Sequence, residues 1–317
     1  MNDNVISRAW RLQEAVLPRR LVLFDEQQLI WSCCETSRSE GSAADLQPWF
    51  EPFQTLKRRL YNSERSPSSI HLDAFTYWCS VAEMASKGNM TYERDRLDVV
   101  ESIVGSIRPF LSPTCEYHSG IWTDDIWAGL LWTTSQPYRT SDNNFSFEGH
   151  PSFSWAANRA PISYSLSIGL RVERDADIEE ILHYIGSGDS SATLIVSAVT
   201  KEVDEDCSDV QHYTFFWDAV SAPSDEDAEQ SNEDIESSDE VGELSYANAM
   251  TSGMEGSTLA LVAPWTCRPT PDIDLTRWAG LILQKRDEGV YIRKGVFLGH
   301  LYKEKFAGWQ RQEFELH

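Results

Sequence analysis

Trp278-Ala279-Gly280-Leu281-Ile282-Leu283-Gln284 and Val290-Tyr291-Ile292-Arg293-Lys294-Gly295-Val296-Phe297 stand on either side of Arg286-Asp287-Glu288-Gly289. Two apolar runs around a short polar stretch that ends in glycine mark a β-hairpin. Working back from it, strand candidates stand at Ser257 to Ala263, His212 to Val220 and Ala192 to Val199, and Ser163 to Val172 also looks extended. One helix interrupts them. Asp177 and Glu180 form a capping-box-like pair ahead of Ile178, Ile181, Leu182 and Ile185, and Gly186 can end it. The second half therefore reads as an antiparallel sheet or a barrel-like region.

The first half carries a different period. Ala9, Leu12 and Val16 form a helical stripe that Ser7 can cap and Pro18 stops, with Trp10 and Leu17 beside it. Leu21 to Phe24 and Leu29 to Trp31 read as two short strands around Asp25-Glu26-Gln27-Gln28. Thr36 to Asp45 is small and polar, a loop, and the second half of Pro48 to Tyr61 predicts a helix. Leu72, Phe75, Cys79 and Ala82 share a helical face that Gly88 can end. Leu97, Val100, Ile103, Val104 and Ile107 form a stronger stripe, preceded by Glu93 and Asp95 and closed by Pro109. A further helix is expected after Thr123, with Trp127, Leu130 and Leu131 inward. The expected class is α+β: a mostly helical N-terminal half packed on a β-rich antiparallel C-terminal half. Three regions are expected, residues 1–35 (helix and hairpin), 36–160 (helical) and 161–317 (β-rich).

Charge is local. The net charge is −23, from 50 acidic and 27 basic residues. Glu202 to Glu243 holds 16 of the acids and no Lys or Arg, so the rest of the chain is only mildly acidic, at −7. Within it, Pro223 to Glu243 has almost no apolar residue and is expected to be a disordered acidic loop between strands. Ser224, Ser237 and Ser238 precede acids there, a setting acidophilic kinases favour. No nucleic-acid partner is expected, since that binding needs a basic face. No apolar run approaches the ~20 residues of a membrane helix, and the polar start Met1-Asn2-Asp3-Asn4 is unlike a signal peptide. A soluble cytoplasmic protein is the expectation. Asn89-Met90-Thr91 and Asn144-Phe145-Ser146 then match the glycosylation pattern by coincidence. The six cysteines, Cys33, Cys34, Cys79, Cys115, Cys207 and Cys267, form no CxxC pair, so reduced thiols are expected and no metal site.

A series of motifs runs through both halves. Arg8-Ala9-Trp10-Arg11-Leu12-Gln13-Glu14 resembles the sequence that closes the HET domain, the heterokaryon-incompatibility domain of filamentous fungi. Four later segments resemble the region C-terminal to that domain. Met90-Thr91-Tyr92-Glu93-Arg94-Asp95-Arg96-Leu97 is similar to a segment where "D-(R/K)-L" opens a helix. Tyr117-His118-Ser119-Gly120-Ile121-Trp122 with Leu130-Leu131-Trp132 is similar to "Y-x-A-G-L-W … L-L-W". Pro151-Ser152-Phe153-Ser154-Trp155-Ala156 is similar to "A-P-S-W-S-W-A", with Phe153 for the first Trp and His150 for the Ala. Gly280-Leu281-Ile282-Leu283 with Tyr291 to Phe297, including Arg293 and Gly295, is similar to "G-L-(I/V)-L … Y-x-R-x-G-x-F". Order and spacing agree over residues 7–300. The family's upstream "R-Y-x-A-L-S-Y-x-W-G" and "Y-x-W-I-D-x-L-C-I-x-Q-D" segments do not occur in these 317 residues. The resemblance is thus to the tail of a HET domain and the region after it, either as a truncated remnant or as a retained C-terminal module. It implies a part in non-self recognition and programmed cell death.

Chemistry is harder to find. Gly186-Ser187-Gly188-Asp189-Ser190-Ser191 lacks the third glycine of a dinucleotide loop and comes after a helix pattern instead of a strand. There is no GxSxG, P-loop, HExxH or EF-hand pattern, and His71, His118, His150, His183, His212 and His300 are scattered. No catalytic residue, cofactor or metal is expected. Packing and helix-end bonding are expected of Trp10, Gln13 and Glu14; core anchoring of Trp122, Trp132 and Trp155; bulges or close backbone approach of Gly280 and Gly295; and an ion pair of Arg96. The leading expectation is a non-enzymatic protein that binds a protein partner. The alternatives are an enzyme with a cleft between the two halves and an adaptor whose acidic loop docks on a basic partner.

Overall fold

The computed structural model describes residues 9–24, 28–33, 35–41, 57–58, 66–134, 149–158, 160–168, 182–187, 193–203, 214–217, 257–265, 275–302 and 309–317. Its contacts divide the chain into two units, Met1–Asp125 and Ile126–His317.

In the first unit, α1 (Arg11–Val16) buries Leu12 and Val16 and is followed by the strands β1 (Arg20–Phe24), β2 (Leu29–Cys33) and β3 (Ser37–Ser39), which form an antiparallel sheet in that order. Lys57 is buried, its Nζ donating to the carbonyls of Val16, at 2.8 Å, and of Pro18, between α1 and β1 in sequence. The long helix α2 (Pro67–Lys87) and α3 (Asp98–Ile107) supply the helical core. Ala74, Val81, Ala82 and Ala85 on α2 and Val99, Val100 and Ile103 on α3 are fully buried. A single turn at Glu93–Arg96 leads into α3. The two-residue strands β4 (Tyr117–His118) and β5 (Ile121–Trp122) form a minute hairpin, with Ser119 at φ +45° and Gly120 at φ +99° in its bend.

The second unit starts with the single-turn α4 (Ile126–Gly129) and the paired strands β6 (Thr133–Thr134) and β7 (Ile162–Ser163). Next comes a seven-stranded sheet made of β8 (His183–Ser187), β9 (Leu194–Glu202), β10 (Thr214–Trp217), β11 (Ser257–Trp265), β12 (Leu275–Asp287), β13 (Val290–Tyr302) and β14 (Gln310–Leu316). Its main path is β10-β13-β12-β11-β9-β14, with β8 also on β9. Two further rungs, Val290↔Glu315 and Tyr291↔Leu316, join β13 to β14 in parallel and close β13-β12-β11-β9-β14 into a ring. The β12–β13 hairpin turns at Glu288–Gly289, where Gly289 takes φ +71°. Leu259 to Val262 and Trp278 to Leu283 are buried at every position, so β11 and β12 are covered on both faces.

A mostly helical N-terminal half is not found. The chain is mostly β-rich, with only short helical stretches beside α2, and the first unit holds two sheets of its own. The physical reason lies in the aromatics. Between residues 115 and 160 Trp122, Trp127, Trp132 and Trp155 are buried by folding around them, on turns and two-residue strands, and not as a helical stripe. The helix expected after Thr123 shrinks to one turn. Two local readings also fail. His183–Ser187, expected as the end of a helix, is strand, its Tyr184 and Gly186 flanking a bulge opposite Val196 and Ile195. Residues 165–168, expected to be extended, form a helical turn. The C-terminal sheet is not purely antiparallel, since β13 and β14 run parallel. Ser7, Arg8, Cys34, Asn144, Asp177, Glu180, Cys207, Cys267 and the acidic stretch with Ser224, Ser237 and Ser238 lie outside the described residues, as does most of the helix expected before Tyr61. No helix among the described residues is long and apolar enough to cross a membrane.

Candidate functional site

In the first unit the motif residues meet at the ends of helices. Gly88, just past α2, lies so close to Ala9 that an added Cβ would stand 2.7 Å from the Ala9 Cα. The Ala9 amide donates to the Asn89 carbonyl at 3.2 Å. Gln13 reaches across to α3, its Nε2 donating to the Val99 carbonyl at 2.7 Å. Arg96 is buried, and its Nε donates to Glu93 Oε2 at 2.6 Å, the ion pair its position predicts. An Asp95 carboxylate oxygen stands 3.8 Å from Arg94 Nε, and Leu97 precedes α3 with no side-chain capping bond. Trp10 and Glu14 depart from the packing expected of them, since Trp10 is 49 % exposed and Glu14 is exposed.

Beyond α3, Trp122 is 1 % exposed and meets Trp78 edge-on at 6.1 Å and Tyr117 at 5.0 Å between ring centres. Trp78 Nε1 donates to the Gly120 carbonyl at 3.3 Å. Burial pushes the Tyr117 phenol well above its ordinary value. Beside this cluster stand a thiol, a carboxylate and an imidazole: Cys115, Asp124 and His71. Asp124 Oδ2 lies 3.3 Å from His71 Nε2, and Asp124 is also the acid beside the Cys115 sulfur. A thiol nucleophile needs a base or cation next to it to form thiolate. Here the order is inverted, with the carboxylate between thiol and imidazole. Burial pushes the Cys115 thiol up, and the Asp124 charge adds to that. The arrangement therefore keeps the sulfur protonated.

In the second unit three motif segments, distant in sequence, converge on Arg293. The residue is 3 % exposed, and its guanidinium lies over the Trp132 ring, 3.4 Å from the ring centre. Arg293 Nη2 donates to the Trp132 carbonyl at 2.6 Å, a bond between residues 161 positions apart. Trp132 Nε1 in turn donates to the Phe153 carbonyl at 3.0 Å. The Arg293 amide donates to Ser152 Oγ at 2.8 Å, while the Ser152 amide donates to the His317 main-chain oxygen at 2.9 Å, and Ser152 Oγ donates to that oxygen as well. Ser154, fully buried, caps the turn that carries Trp155 by accepting from the Ala156 amide at 3.1 Å. Leu131 and Trp155 are fully buried.

The glycines of the last motif open the space for this. A Cβ on Gly280 would stand 2.4 Å from both the Ala260 carbonyl oxygen and the Phe297 ring, the close approach its position predicts. Gly295 opposes Ile282, and the next rung joins Leu283 to Arg293, so Lys294 is the extra residue of a bulge beside Arg293. Sequence reading quoted Ser152 within a motif but gave it no role, and missed His317 and all of β14. The signal for β14 was there: in Gln310 to Leu316, Phe314 and Leu316 alternate with polar residues, and both are buried.

Among the described residues no three His, Cys, Asp or Glu side chains gather in a way that could hold a metal ion. Compared with protein-family models, with curated proteins and with solved structures, the chain matches none.

Proposed function

We propose that this chain is a non-enzymatic, cytoplasmic protein of the HET type, acting in fungal non-self recognition and programmed cell death by binding a protein partner. The reading rests on the ordered motif series, and one observation carries it. Three of the resembling segments supply the parts of a single buried assembly, Trp132, Phe153 with Ser152, and Arg293. Motifs that agreed by accident would have no reason to meet in space. Two facts support action by binding. Burial and the Asp124 charge push the Cys115 thiol up, which disfavours a thiolate nucleophile there, and the motif residues around Arg293 bond one another and backbone.

The test is induced expression of the chain in a filamentous fungus, scored by dye uptake in hyphal compartments and by colony growth. Cell death on induction, or protection of an otherwise incompatible fusion, supports the reading. Unchanged viability in both settings removes its link to incompatibility. A fluorescent fusion confined to nuclei or to secretory compartments would remove the cytoplasmic part.

A further inference from the structure

We draw no further inference here: the strongest candidate, the exposed face of the three-stranded sheet formed by Val22, Phe24 and Trp31 beside the β1 edge, is an apolar patch, and nothing in the structure shows what covers it.

Discussion

Arg293 shows what a single buried cation contributes here. Its planar fork stacks on Trp132 and bonds the Trp132 carbonyl, a geometry an ammonium cannot copy. Arg293→Lys keeps the charge and loses both contacts, so it should lower unfolding free energy by about 1.5–3 kcal/mol in urea titrations. Trp132→Ala removes the ring and should cost about 3–5 kcal/mol. Cys115 makes a second prediction at this scale. Its folded-state pKa is raised above the ordinary 9.0, so the folded state holds its proton to higher pH than the unfolded state. Its contribution is then complete below that value and is lost as pH climbs beyond it; the raised Tyr117 phenol acts in the same direction. Stability should decline above about pH 9, and Asp124→Asn should speed alkylation of Cys115 in site-resolved mass spectrometry. Alkylation unchanged by that variant would show that the acid does not govern the thiol.

At the scale of elements, Gly280 is the tightest point between β11 and β12. Gly280→Ala forces a methyl group against the Ala260 carbonyl and the Phe297 ring, and should destabilise by about 1–3 kcal/mol as other overpacked sites do. The same substitution at Gly105, where a Cβ would meet nothing within 4 Å, should be harmless or slightly stabilising, since alanine favours helix. Melting curves of the two variants separate close approach from propensity. Legibility in the sequence followed the same division. The hairpin of β12 and β13 and the stripes of α2 and α3 were readable because their period extends over many residues. Tyr184 to Ser187 was misread, because apolar residues beside a capping-box pair look helical whether or not a neighbouring strand claims them; here β9 does. β4 to β7 were invisible, being two residues each and defined only by their partners. At the Arg293 assembly the sequence marked Trp132, Trp155 and Arg293 but could not say that they meet, because contacts over such separations leave no periodic trace.

For the whole molecule, the division at Asp125 and Ile126 places α1 and the hairpin β1–β2 in one unit and the Arg293 assembly in the other. β14 is the strand on which the second unit's ring depends. It pairs with β9 over seven rungs from Gln310 to Leu316 and meets β13 through two more. Phe314, edge-on to Tyr291 at 5.2 Å, and Leu316 fill the interior. Removing residues 310–317 should leave the edges of β9 and β13 open and Ser152, which holds the Arg293 amide, without its His317 acceptor. The expected outcome is strong binding of an apolar dye and loss of cooperative unfolding, with α-helical circular dichroism from the first unit retained. A truncated chain that still melts sharply would mean the ring holds without its parallel closure.

That closure also sets an order of events during synthesis. Strand β14 comes after every other member of its sheet in the chain, and its rungs tie Leu194 to Leu316. A nascent chain leaving the ribosome therefore carries β9, β11, β12 and β13 with no means of sealing them until β14 emerges. Contacts of such long sequence separation form slowly, and unpaired apolar strands invite aggregation meanwhile. The yield of active protein in a cell should thus depend on chaperone supply more steeply than its finished stability would suggest.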